Sequence, residues 1–283
     1  MFPAVNPTAR SLILDLLSTL RRGTMPVQAL VEAGGLFGIA ENSTRVALTR
    51  LTGAGTVERD ARGAYRLSAE PGPVGRRATS WRTLERGLRR WSGDWVGVLS
   101  PSTRRGERVR RERALGLLGF APLTPALAVR PDNLALRVDA IRVELLDLGL
   151  AAGDLVLSIR DLDAMTDARA RRAWNGDAIR AEHRAMLARI EASTRALAHE
   201  AAERARVDSF LLGGRAIRQL ILDPRLPDEL VPGDERRALL KAMRDYDRLG
   251  RRAWAPFLQR FSVPHLGAPA DTRMIAEASR RAW

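Results

Sequence analysis

The chain has 283 residues, carries 47 basic side chains against 33 acidic ones for a formal net charge of +14, and contains no cysteine. The missing cysteines exclude a disulfide framework and a thiolate metal site, and no apolar run approaches the roughly 20 residues that span a bilayer. Lys241 is the only lysine, so the charge is nearly all arginine, a side chain that forks to phosphate and guanine and makes nucleic acid the first partner to expect. A GC-rich genome accounts for part of the preference for arginine over lysine, but not for the net positive sign. The opening Met1-Phe2-Pro3-Ala4-Val5-Asn6 lacks the basic-then-apolar layout of a signal peptide, so a cytoplasmic protein is expected.

Ile13, Leu16, Leu17 and Leu20 repeat at helical spacing and predict a first helix over about 11–20. Pro26 suits a helix start, with Val27, Leu30 and Val31 as the inner stripe of a second helix that Gly34-Gly35 should end. A third helix is expected over 41–54, stopped by Gly55. Its Thr44, Ala47, Leu48 and Leu51 share one face and leave Asn42, Arg45, Val46 and Thr49 on another. Val57, Tyr65 and Leu67 fit two short strands, with Asp60-Ala61-Arg62-Gly63 as the turn between them. Three helices and a hairpin over 1–70 make a winged helix-turn-helix. Short hydrogen-bonding side chains beside an arginine suit base edges in a major groove, which assigns Asn42, Arg45 and Thr49 to bases. Ser43 and Arg50 fall nearer phosphate, and Arg62 and Arg66 lie in the wing.

A linker and a connecting helix with Trp81, Leu84 and Leu88 fill 71–93. Over 94–163, strands at 95–100, 127–129 and 155–159 alternate with helices at 105–118 and 134–148, the latter carrying Val138, Ile141, Leu145 and Leu148 inward. That alternation predicts a ferredoxin-like α/β sandwich. From 164 to 283 the pattern is helical. Ile179, His183, Met186, Ile190 and Leu197 form one seam, Asp223-Pro224-Arg225-Leu226-Pro227 breaks the next helix, and a further helix covers 234–254. The expected class is α+β, mostly helical.

Four segments resemble the PaaX family of bacterial repressors, which control phenylacetic-acid catabolism. They are Gly38-Ile39-Ala40-Glu41 with Arg45, Ala47, Leu48, Arg50 and Leu51; Trp91-Ser92-Gly93-Asp94-Trp95, like the family's W-x-G-x-W; Trp174; and Leu222 through Pro232, similar to its L-x-D-P-x-L-P-x-E-L-x-P signature. The resemblance implies a homodimer in which the ferredoxin-like region dimerises and the C-terminal helices serve effector binding and dimer contacts. It also implies double-stranded operator DNA as partner and release by an aryl-CoA thioester, phenylacetyl-CoA being the type effector. The chain departs from the family at the wing residues Arg62-Gly63-Ala64-Tyr65, at Thr44, usually apolar, and at His183 and Glu235, where tyrosine and tryptophan are common. A thioester needs cations for its phosphates and an apolar slot for its acyl group. Arg215 and Arg218, one helical step apart, suit the first need, and Trp91, Trp95 and Trp174 the second, with His183 a further candidate effector contact although it falls on an apolar seam that suits a core role.

Enzymatic signals are thin. His183, His199 and His265 have no ligand spacing, and Gly213-Gly214 lacks the lysine of a phosphate-binding loop. A metal-dependent nuclease on the ferredoxin-like region would want a carboxylate at the end of its first strand, where the sequence reads Ser100-Pro101-Ser102, with Asp94 at the start instead. No catalytic residue, metal or cofactor is expected. A regulator of the same build answering a different small molecule remains the alternative.

Overall fold

The computed structural model describes residues 7–18, 20, 24–60, 63–68, 81–101, 105–197 and 199–264. The protein is a predominantly helical α+β chain with two antiparallel sheets. Its contacts divide it into one unit of Met1–Gly72, Ala188–Ile217 and Lys241–Ile275, and a second of Pro73–Leu187, Arg218–Leu240 and Ala276–Trp283.

In the first unit, α1 (Ala9–Ser18), α2 (Val27–Leu36) and α3 (Glu41–Gly53) precede a hairpin of β2 (Val57–Arg59) and β3 (Ala64–Leu67). A two-residue strand, β1 (Met25–Pro26), completes a sheet of order β1-β3-β2 by pairing with Tyr65 and Ala64. So short a strand leaves no alternation to read. The glycine pair does not stop α2, which continues through it to Leu36. A Cβ on Gly34 would sit 2.8 Å from Thr44 Oγ1, so this glycine lets α2 and α3 approach closely. The turn out of α2 falls to Gly38, whose φ of +70° favours glycine.

Thr44 is 1 % exposed and its hydroxyl has no hydrogen-bond partner among the described residues. A buried unsatisfied hydroxyl is costly, whereas a methyl in its place is not. Thr44→Val is therefore expected to stabilise the protein by about 1 kcal/mol, read as a higher urea midpoint at unchanged slope.

The core of this unit is not confined to the N-terminal segment. Leu12, Ile13, Leu16, Leu30 and Leu48 pack in one cluster with Phe210, from α8 (Ala202–Leu222), and with Trp254, Phe257 and Leu258, from α9 (Asp234–Arg260). The last helix outruns the expected 234–254 because Pro256 is accommodated inside it. Phe210 stacks 4.9 Å from Phe37 and 6.4 Å from Trp254, and Trp254 Nε1 donates to the Arg206 carbonyl at 3.2 Å.

The second unit opens with a 3-10 turn, Trp81–Gly87, where the sequence suggested a longer helix. Leu88 then bridges to Leu134, which delays the helix expected from 134 until Val138. Strands β4 (Trp95–Leu99), β5 (Ala121–Pro122), β6 (Leu127–Pro131) and β7 (Leu155–Ile159) form an antiparallel sheet of order β5-β6-β4-β7. β5 is the strand the sequence reading lacked. Val96 and Val98 face α4 (Arg105–Leu117) and α5 (Val138–Leu148) across an apolar cluster with Ala114, Ile141 and Leu145. The opposite face is partly covered by α6 (Ala164–Arg171), where Trp91, Trp95, Val129 and Ala170 pack together. A Cβ on Gly97 would lie 2.5 Å from Ile159 Cδ1, so a side chain there would displace that methyl. α7 (Gly176–Leu197), α8 and α9 each contribute residues to both units.

Candidate functional site

Two places gather the singled-out residues. The first is α3. Thr44, Leu48 and Leu51 are buried, while Asn42, Ser43, Arg45, Thr49 and Arg50 are exposed, as the helical spacing required. Arg45 is held along the helix by Glu41, its Nη2 2.7 Å from the carboxylate, and Thr49 Oγ1 donates to the Arg45 carbonyl at 3.1 Å. Both members of the ion pair are more than half exposed, so the pair is weak and a phosphate or guanine can displace Glu41. On the hairpin Arg66 pairs with Glu58 at 2.9 Å; Arg62 lies outside the described residues.

The second place, in the other unit, is the loop after α8 that carries the Asp-Pro motif. Asp223 accepts from His183 Nε2 at 2.9 Å, from the Arg225 amide at 2.6 Å and from Arg236 Nη1 at 3.5 Å. Arg236 continues the network to Glu85 at 3.1 Å. Burial alone would push the Asp223 carboxyl up, but the hydrogen bond from His183 and the charge of Arg236 hold it below the usual carboxylate range. The loop is clamped on several sides. Asn133 Nδ2 donates to the Arg225 carbonyl at 2.8 Å, and Gly119, at φ +75°, lies so close that a Cβ would be 2.6 Å from Pro224 Cα. Gly176, at the start of α7, is pressed against Val231 in the same way.

His183 therefore belongs to a buried ionic network, and the cavity beside it, between Ile179, Leu226 and Val231, measures about 10 Å³. That is room for a single water and far from an acyl chain. Glu235, the other departure from the family pattern, accepts from Arg180 at 2.7 Å and Arg184 at 3.0 Å, and the hydrogen bonds from Arg180 draw its carboxyl down to about 2.

The tryptophans do come together. Trp91 and Trp95 meet edge-to-face at 5.2 Å, Trp95 and Trp174 stack in parallel at 6.2 Å, and the Arg171 guanidinium lies 4.8 Å from the Trp91 ring. Trp91 Nε1 donates to the Asp94 carbonyl at 2.6 Å and Trp95 Nε1 to Asp167 at 3.1 Å. The three rings pack against one another, with the donors of Trp91 and Trp95 engaged and Trp174 half-buried. Arg215 and Arg218 sit half-buried on α8, the first in one unit and the second in the other, and neither lines the His183 cavity. A larger open groove of about 880 Å³ lies in the first unit among Glu32, Leu36, Arg206, Phe257 and Arg260. None of the residues expected to bind DNA or effector lines it.

The Asp223 network was within reach of the sequence, because the Asp-Pro motif stood out. Its partners Arg236, Glu85 and Asn133 carried no local signal. Among the described residues no cluster of three or more histidines and carboxylates could hold a metal ion, and no helix is long and apolar enough to cross a membrane.

Residues 8–71 match the PaaX-like protein family, and residues 174–256 match the PaaX-like protein C-terminal domain. These matches define a regulator type. The chain belongs to the PaaX-like family of transcriptional regulators. It is also similar to the uncharacterized protein Rv0674 from Mycobacterium tuberculosis, 27% identical over 90% of this chain and 99% of that one, with a TM-score of 0.63. No curated protein matches it.

Proposed function

We propose that the protein is a DNA-binding repressor of an aromatic-acid, phenylacetate-type catabolic operon, acting as a homodimer and released from its operator by an aryl-CoA thioester such as phenylacetyl-CoA. In this reading, 1–70 is a winged helix-turn-helix whose α3 enters the major groove, 94–163 is a ferredoxin-like dimerisation domain reached through 71–93, and 164–283 is the helical effector domain. Support for the middle domain comes from its strand–helix order, β-α-β-β-α-β, with the sheet order β5-β6-β4-β7. The observation that carries the proposal is α3. It buries its apolar stripe and presents Asn42, Arg45, Thr49 and Arg50 to solvent beside a hairpin, on a chain of net charge +14.

Arg45→Ala is expected to weaken operator binding by about 1–3 kcal/mol and to relax base preference at one position per half-site. Gel shifts against a set of single-base operator variants measure both. Unchanged affinity and unchanged preference would remove α3 from the groove.

The effector must bind the DNA-incompetent arrangement more tightly, since equal affinity for both shifts nothing. Trp91, Trp174, His183, Arg215 and Arg218 are the proposed contacts. Because the His183 cavity is so small, an acyl group reaching it must open the 222–232 loop. Phenylacetyl-CoA is then expected to release DNA where free phenylacetate and free CoA do not. The hydrogen bond of His183 to Asp223 and the ion pair of Glu235 favour a second reading, a regulator of the same build that answers a more polar small molecule. A thermal-shift screen separates the two, because a ligand of the folded state raises the unfolding temperature.

A further inference from the structure

The open groove of the first unit is walled by the end of α2, the first turns of α8 and the last turn of α9, all inside that unit. Three carboxylates, Glu32, Glu203 and Asp208, line it together with three guanidinium groups, Arg204, Arg206 and Arg260. Four of the six are matched. Arg204 lies 3.6 Å from Asp208, and Arg260 pairs with Glu32. Glu203 stands exposed in the first turn of α8, where the amides of a helix start favour a negative charge. Arg206 is left over. Its guanidinium makes no hydrogen bond or ion pair among the described residues, and its Nε is buried. A buried N–H without an acceptor is costly, and on a charged group more so, which points to an acceptor that arrives from solvent.

The surroundings of Arg206 define that acceptor. Its guanidinium carbon lies 5.8 Å from the centroid of the Phe257 ring, and its carbonyl accepts from Trp254 Nε1, so both ends of the residue are held. Arg260 lies 5.5 Å from the same ring and 4.7 Å from that of Phe261. One aromatic ring thus carries two cations, and only Arg260 has a carboxylate of its own. That carboxylate is loosely held, since the Arg260 and Glu32 side chains are 58 % and 38 % exposed. Beside the cations the wall is apolar, with Leu36 and Val207 half-buried and Pro256 exposed. The volume of about 880 Å³ suits an organic ligand rather than an inorganic ion. A guanidinium fork held in one place takes a carboxylate through two parallel hydrogen bonds, which a neutral or cationic ligand cannot accept.

We propose that this groove binds a small aromatic carboxylate, with its oxygens on Arg206 and, in place of Glu32, on Arg260, and its rings against Leu36, Val207 and Pro256. The site shares no residue with the thioester contacts proposed above, and none of its lining belongs to α3. It therefore stands apart from the reading of DNA and of the effector. Because α2 supplies Glu32 and Leu36, the ligand joins α2 to α8 and α9 where the Glu32–Arg260 pair alone does so otherwise.

Calorimetric titration of the full chain with 2-naphthoate tests this, since two fused rings and one carboxylate match the wall and the cations. The companion probes are 2-naphthylmethanol, which offers the rings alone, and acetate, which offers the carboxylate alone. One naphthoate per chain is expected, with each companion weaker by about tenfold or more. Arg206→Gln, with the wild-type circular dichroism spectrum, should weaken naphthoate by about tenfold. Glu32→Gln should instead tighten it by about threefold, because the competitor for Arg260 is gone. A merely structural Glu32 would not act in that direction. Absence of naphthoate binding to the wild type overturns the proposal, as does equal binding of naphthoate and naphthylmethanol. Naphthoate binding that Arg206→Gln leaves unchanged assigns the ligand to another place and overturns it too. Failure of Glu32→Gln to tighten the binding overturns the proposal whether or not Arg206→Gln folds. Operator binding is read separately through Arg45→Ala, so loss of this site would leave the reading of DNA standing.

Discussion

Trp254→Ala is expected to destabilise the protein by about 3–5 kcal/mol, the range for emptying a large aromatic site in a packed core. The indole is fully buried, lies against Phe210 and Phe257 (5.6 Å between centroids for the latter), and donates to the Arg206 carbonyl. Its removal leaves a cavity and an unsatisfied acceptor in the core that α1, α2 and α3 share with α8 and α9. A loss of that size is a large fraction of a typical folding free energy. The substitution should therefore abolish operator binding at 37 °C although it touches no residue of the exposed α3 face. Urea unfolding followed by tryptophan fluorescence, beside gel shifts at 10 and 37 °C, checks both halves. A variant that unfolds with the wild-type midpoint would mean that Trp254 does not hold the two ends of the chain in one core.

The second large effect is expected at Asp223. Asp223→Ala removes the acceptor of His183, of Arg236 and of the Arg225 amide, and leaves the buried Arg236 guanidinium with Glu85 as its remaining carboxylate and the buried His183 without its acceptor. Breaking one side of such a buried pair costs about 3–5 kcal/mol. The carboxyl is depressed in the folded protein, so its stabilising contribution is complete above the unfolded value of about 3.9 and is lost as pH falls through the lower folded value. Wild-type stability should accordingly fall below about pH 4 by an amount that Asp223→Asn, which keeps the shape but cannot ionise, does not show. Unfolding free energies of both proteins between pH 7 and pH 3 give the comparison. Parallel curves would assign the acid sensitivity to other carboxylates.

Local pattern carried far in this chain, and it failed where contacts are distant. The inner face of α3 was readable because Thr44, Leu48 and Leu51 repeat at a period that only a helix satisfies. The strands β4 and β7 were readable because short apolar runs bounded by turn residues have few other uses. Gly34 was misread, since a glycine that admits a neighbouring helix looks like one that ends its own. The cover of His183 was not readable at all. Its partner Asp223 lies 40 residues downstream, and the closing residues Gly119, Asn133 and Glu85 come from parts of the chain with no shared motif. Nor did the sequence pattern tell that the three tryptophans would pack on one another, with the donors of Trp91 and Trp95 taken by Asp94 and Asp167.

The mixed ancestry of the first core, residues 12–57 with 207–263, bears on how the protein is made. Chains emerge from the ribosome amino end first, and domains ordinarily fold as they emerge. Here Leu12, Leu16 and Leu48 must wait for Phe210, Trp254 and Leu258, so the core beneath α3 is completed only after Leu258 has emerged. A copy halted before that point lacks the support on which the proposed reading of DNA by α3 depends.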